Sequence, residues 1–216
     1  MAREEAVKDP EKRAWSEYKW SLSLVRDVLA HLEFLLCVIV SFRGFRGRAL
    51  EIGSGTGLHS CFISYFGVEV VSIDINQKVV KMAFSNARYY KAKNVSFVVA
   101  DACNLPFKDK VFNVCFSQGL LEHFSDSMIK NVILESSRVA ERLIFSVPSI
   151  NYPTQDFGNE RLLNPRQWEA LLSEFGAKVR YYRLDLQAIK NSLLIGKAPK
   201  PWHILIKISP SVNDKR

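Results

Sequence analysis

The chain has 216 residues, 48% of them hydrophobic, with 30 Lys and Arg against 22 Asp and Glu and a formal net charge of +8. That length and apolar content provide one sizeable globular core with at most a small appendage. The four cysteines, Cys37, Cys61, Cys103 and Cys115, show no C-x-x-C or Cys/His ligand spacing, which argues against a metal site or a disulfide framework and for a reducing, cytoplasmic compartment.

Met1 to Lys12 carries charges of both signs and no apolar core, unlike a signal peptide. Val25, Val28, Leu29, Leu32, Leu35, Leu36 and Ile39 recur at helical spacing and predict one helix over residues 21–40. Its most apolar stretch, Phe34 to Phe42, is too short to span a bilayer, so no membrane insertion is expected. A basic turn, Arg43 to Arg48, follows. Strands are then predicted over Arg48–Gly53, Glu69–Asp74, Val95–Asp101, Val111–Ser117 and Arg142–Val147. Helices are predicted over Leu58–Phe66, Gln77–Tyr90 and Ser127–Val139. The strands are almost uniformly apolar, as suits a parallel sheet covered on both faces.

After Pro148 the rhythm breaks, and residues 149–163 read as an inserted loop. Asn164-Pro165 marks a helix start that runs to Phe175-Gly176. "KVRYYRLD" and "PWHILIKIS" give two final strands joined without an obvious crossover helix, so an antiparallel last strand is expected. The whole reads as an α/β fold: a Rossmann-like, mostly parallel seven-stranded sheet with helices on both faces and an N-terminal helical extension. Beyond residue 150 the chain holds 11 Lys and Arg against 6 Asp and Glu. This excess leaves RNA or an acidic macromolecule open as a partner, although the charges are scattered as on an ordinary basic surface.

"ALEIGSGTGLHS" places Glu51, Gly53, Ser54, Gly55 and Gly57 between a strand and a helix, where small residues let ligand atoms approach the backbone. A dinucleotide fingerprint needs a glycine where Leu58 stands, which disfavours a nicotinamide oxidoreductase. The E-x-G-x-G-x-G order instead resembles class I S-adenosylmethionine-dependent methyltransferases. "VVSIDIN", "VVADACNLPF" and "FNVCFSQGLLEHF" extend the likeness over roughly residues 45–150. The resemblance implies a methyltransferase domain over residues 45–216, the extension being 1–44 and residues 149–163 a substrate-side insertion. It implies S-adenosylmethionine as cofactor, with Asp74 on the ribose hydroxyls and Ile75 on the adenine face. Asp101 and the backbone of Ala102 would meet the adenine edge, and Gln118 the methionine part. Each carboxylate also has a plainer reading as a strand-end or turn residue.

Methyl transfer from a sulfonium needs alignment and desolvation more than a catalytic motif. His123 is the candidate base, for acceptors that arrive protonated. Tyr152, Asp156 and Arg161 in the insertion are candidate substrate contacts, and Trp15, Tyr18 and Trp20 a candidate aromatic lid or packing anchor. "SQGL" stands where methyltransferases of base amines or of glutamine commonly carry N-P-P-Y, so a small-molecule acceptor is the expected partner. An RNA or protein methyltransferase of the same fold, or a non-catalytic cofactor-binding interaction protein, stays open.

Overall fold

Short apolar runs set seven strands in the computed structural model, which describes residues 23–42, 44, 46–153, 159–195 and 198–209. The strands are β1 (Arg48–Ile52), β2 (Glu69–Asp74), β3 (Val95–Val99), β4 (Phe112–Gln118), β5 (Ala140–Pro148), β6 (Lys178–Tyr181) and β7 (His203–Ile208). They form one sheet in the order β3-β2-β1-β4-β5-β7-β6. β1 to β5 are parallel, and β7 runs antiparallel to both β5 and β6, as expected for the last strand. The order reverses at β1, where the chain leaves for β2 on one side and returns to β4 on the other. Crevices open at such a reversal, at the carboxyl ends of the strands.

Side chains alternate between two cores as the pleat requires. Ala49, Val70, Val114 and Ile144 enter one cluster, and their neighbours Leu50, Val71, Cys115 and Phe145 the other. On the first face lie α1 (Leu24–Ala30), α2 (Leu32–Ile39) and α3 (Leu58–Ser64); Phe34, Leu35, Val38 and Ile63 are wholly buried there. On the second, α5 (Asp126–Val139) and α6 (Pro165–Leu171) bury Ile129, Val132, Ile133 and Trp168. α4 (Gln77–Tyr89) lies along β2 and β3 beside α3. Asn164 and Gln167 close a reciprocal capping box at the start of α6, as Asn164-Pro165 foretold. A 3-10 turn, Ser173–Phe175, then ends at left-handed Gly176.

Three expectations are corrected. The N-terminal helix is two helices, not one, because it breaks at His31. The His31 backbone N–H and ring Nδ1 both lie 3.2 Å from the Asp27 carbonyl, so the imidazole intrudes on the helical ladder. β3 stops at Val99 and is an edge strand, with Val99 49% exposed rather than covered on both faces. Finally, α7 (Leu186–Ile195) does connect β6 to β7; Asp185 starts it by accepting the Ala188 N–H at 3.1 Å. The Trp15, Tyr18 and Trp20 cluster and Asp156 lie outside the described residues.

Gly57 joins the β1 turn to α3 with φ +72°, and a Cβ there would come within 2.8 Å of both Ala83 and Phe97. Gly176 has φ +61° with nothing within 4 Å of such a Cβ. Gly176→Ala should therefore cost only left-handed strain, about 1–2 kcal/mol. Gly57→Ala should add overpacking, for about 2–5 kcal/mol in all. Urea unfolding of the two variants measures the difference, and equal costs would show that the α3–α4 contact yields.

Candidate active site

The crevice at the β1–β4 reversal is a cavity of about 560 Å³ at the carboxyl edge of the sheet. Glu51, Gly53, Ser54, Gly55, Asp74, Ile75, Asp101, Ala102, Gln118, His123 and Tyr152 all line it. Gly57 and Arg161 do not. Gly57 acts one layer behind, where its N–H donates to the Ser54 carbonyl at 2.7 Å. Arg161 is turned to Asp126 at 2.7 Å and to the Phe124 carbonyl at 3.0 Å, bracing the segment that carries His123.

The glycine turn is built from below. Gly53 and Ser54 donate their backbone N–H groups to the Ile73 carbonyl at 2.9 and 2.8 Å, which docks the turn on β2. Glu51, only 2% exposed, stands opposite Ser72 in the β1–β2 register. Its Oε2 accepts from Ser60 Oγ at 2.5 Å and Ser72 Oγ at 2.7 Å, and its Oε1 lies 3.8 Å from His59 Nδ1. Burial pushes the Glu51 carboxyl up, and His59 with the two serines holds the rise to about 6. Ser54 Oγ is buried in the lining without a hydrogen-bond partner.

Asp74 ends β2 and accepts the Asn76 N–H at 2.9 Å; burial raises its pKa against that bond and one from Gly55. Ile75 beside it is 55% exposed, an apolar surface presented to the cavity. Asp101 accepts the Cys103 N–H at 2.8 Å and receives Asn104 on its carbonyl, so it both lines the cavity and starts a turn. His123 closes a 3-10 turn, Leu121–His123, and its Nδ1 lies 2.8 Å from Asn159 Oδ1. The Tyr152 ring packs on Trp202 and His203.

Sequence reasoning missed a second group on the same wall. Asp27 and His31 of the N-terminal helices, His59 of α3 and His203 of β7 all line the cavity, so all four histidines of the chain meet there. His59 Nε2 lies 3.0 Å from Asp27 Oδ2 and 3.3 Å from His31 Nδ1. Burial would raise Asp27, but the facing His59 and His31 bring it down to about 2. Burial, with His59 and His203 alongside, pushes His31 down to about 3 and leaves its ring neutral. His59 goes the other way: burial opposes its charge, but Asp27 and Glu51 outweigh it and raise the pKa. Asp185 Oδ2 faces His203 Nδ1 at 3.0 Å and fixes that ring. The i,i+4 spacing of Asp27 and His31, and a histidine two residues past the third glycine, were the available signals.

Glu122 was also missed. It lines the cavity at 3% exposure with Oε2 unpartnered, and burial together with the Glu160 charge pushes it up to about 8. Among the described residues, the lining holds Asp27, Glu51, Asp74, Asp101, Glu122 and Glu160 against one cationic side chain, Arg26. The cavity of this basic chain is therefore acidic.

A family model described as a methyltransferase domain matches residues 50–142. An uncharacterized methyltransferase of Bacillus subtilis (strain 168), YcgJ, is 30% identical over 95 residues, which is 44% of this chain and 37% of that relative. The chain thus matches little more than a third of that relative's length. Among solved structures, geranyl diphosphate C-methyltransferase from Streptomyces coelicolor A3(2) superposes with a TM-score of 0.66 at 12% identity, over 95% of this chain and 100% of that one. An S-adenosylmethionine-dependent methyltransferase from Aquifex aeolicus gives 0.62 at 16% identity, over 88% and 98%. These two likenesses establish the fold.

The Glu122 environment sets a pH dependence. Its pKa of about 8 lies above the ordinary 4.5, so the folded chain holds a proton that the unfolded chain releases between those values. Stability contributed by Glu122 is complete below that window and is lost as pH rises through it. Glu122→Gln stays neutral throughout. Its thermal midpoint should fall less than that of the unmodified chain between about pH 6.5 and 8.5, a window in which the Glu51 contribution is common to both proteins. Parallel declines in the two proteins would mean that Glu122 is ionised in the folded state.

Proposed function

We propose that this chain, whose residues 50–142 match a methyltransferase-domain model, is a class I S-adenosylmethionine-dependent methyltransferase that acts on a small-molecule acceptor. One observation carries the reading: the glycine turn, Asp74 and Asp101 follow three successive strands and meet at one cavity. The residues present fit the cofactor. An acidic lining suits a sulfonium and an amino group, the orphaned Ser54 hydroxyl offers a polar contact, and exposed Ile75 offers an apolar one.

In this reading Asp74 accepts from the two ribose hydroxyls, a task for which a carboxylate has two oxygens available. Ile75 packs on the adenine face, and Asp101 with the Ala102 backbone meets its edge. Gly53, Ser54, Gly55 and Gln118 line the methionine end, with Glu51 a fixed negative charge under the turn and Gly57 holding the turn's shape. When bound, S-adenosylmethionine supplies a methyl group already activated by positive sulfur. The chain's own task is to align the acceptor and exclude water. His123, oriented by Asn159, accepts the acceptor's proton where there is one to lose. Full turnover by His123→Ala at every pH would remove it from that role.

The cavity volume falls within the roughly 300–1,000 Å³ of small-ligand pockets. Its acidic lining weighs against an acidic macromolecule entering, and Tyr152, packed on His203 in the lining, is the proposed acceptor contact. Arg161 contributes by bracing the Phe124–Asp126 segment. Among the described residues no helix is long and apolar enough to cross a membrane. The four free thiols support a cytoplasmic setting.

Calorimetric titration tests the cofactor assignment. S-adenosylmethionine and its demethylated product should both bind the unmodified chain. Asp74→Ala should weaken both by about 1–3 kcal/mol, or roughly 5- to 150-fold. Binding of NADH with neither of these ligands would overturn the reading.

A further inference from the structure

Asp27, His31 and His59 aim one donor atom each at a common point on the cavity wall. Asp27 Oδ2 is 3.0 Å from His59 Nε2, His59 Nε2 is 3.3 Å from His31 Nδ1, and His31 Nδ1 is 4.0 Å from Asp27 Oδ1. All three ligand atoms fall within 4.8 Å of one another. A tetrahedral ion with bonds of about 2.0–2.1 Å holds its donors roughly 3.3 Å apart. The 3.0 and 3.3 Å separations about His59 Nε2 are close to that spacing, and the 4.0 Å between His31 Nδ1 and Asp27 Oδ1 exceeds it by less than an ångström.

His59 Nε2 faces both the Asp27 carboxylate and His31 Nδ1, and His31 Nδ1 also lies 3.2 Å from the Asp27 carbonyl; a cation would instead accept a lone pair from each of the three side chains. His31 and His59 are buried, at 9% and 8% exposure. Outer partners are also present: Glu51 approaches the other nitrogen of His59 at 3.8 Å, and the His203 ring sits edge-on to His31 at 5.2 Å. A carboxylate behind a ligating imidazole is the usual support for a bound metal.

We propose that Asp27, His31 and His59 form a binding site for one divalent transition-metal ion of the zinc class, with its remaining coordination position open to the cavity. Two imidazoles and one carboxylate favour zinc, cobalt or iron(II) over magnesium or calcium, which take oxygen ligands. The open position would receive an oxygen or nitrogen donor of a small molecule held in the cavity. Asp27 and His31 lie outside the residues matched by the methyltransferase domain, so two of the three donors belong to this chain's own N-terminal segment. The site stands whether or not methyl transfer is the reaction.

The test uses the untagged full chain, stripped with a chelator and titrated by calorimetry with Zn²⁺, Co²⁺ and Mg²⁺ in turn. One Zn²⁺ or Co²⁺ should bind per chain, with visible d–d absorption of a low-coordinate Co²⁺ complex and no comparable Mg²⁺ binding. Asp27→Asn keeps the side-chain shape, His31→Gln replaces the ring with a neutral polar chain, and His59→Ala removes the central donor. Each should weaken Zn²⁺ binding by at least ~100-fold, beyond the roughly 10- to 100-fold cost of losing an outer partner. His123→Gln, outside the three-residue cluster, should leave Zn²⁺ binding unchanged. Circular dichroism identifies folded variants, and Asp27→Asn or His31→Gln decides the matter should His59→Ala fail to fold. Zn²⁺ binding that is absent, unchanged in the folded variants, or equalled by Mg²⁺ overturns the proposal.

Discussion

A carboxylate placed inside a parallel sheet has to be satisfied from within the protein, and the way Glu51 is satisfied organises everything around it. Its two serine partners come from α3 and β2, and its histidine neighbour also comes from α3. One side chain therefore ties together the strand before the glycine turn, the helix after it and the strand alongside. The turn cannot drift relative to β2 without leaving a buried negative charge short of donors, which is costly in a low-dielectric interior. His59, drawn in by Glu51 on one side, meets Asp27 on the other, so the N-terminal helices are drawn to the same point.

This arrangement also separates the charge of the molecule from the charge of its cavity. The chain carries an excess of eight positive charges. Yet among the described residues the crevice gathers six acidic side chains and one arginine, because acids in or just after β1, β2 and β3, the Leu121–His123 turn, the 149–163 segment and the Asp27 helix line the same edge. Net charge describes what the surface attracts over a Debye length; the groups inside a partly enclosed crevice set what binds there.

The sheet and its glycine turn were legible in the sequence because their signals are local. Apolar runs, the spacing of Gly53, Gly55 and Gly57, and the acids ending two strands are each contained within a few residues. What escaped depended on partners far away in the chain. The break at His31 reflects an imidazole pulled toward His59. α7 starts because Asp185, caught between Ala188 and His203, both caps and anchors it. β3 is as apolar as β2, and only its place at the end of the strand order leaves it half open to solvent. Likewise the donors on the cavity wall sit at positions 27, 31 and 59, a spacing that matches no compact ligand motif.

Glu33 of α2 accepts the backbone N–H groups of Arg183 and Leu184 at 2.6 Å each and pairs with Arg180 at 2.5 Å. Through it the first described helices grip the connection that precedes the last strand, across some 150 residues. A ribosome releases the early helices long before Tyr182 and His203 exist to receive them. Their apolar faces must wait, shielded by α3 and the growing sheet or by a chaperone, until the carboxyl-terminal third emerges. The crevice is thus among the last parts of the molecule to be completed during synthesis, as long-range closure demands.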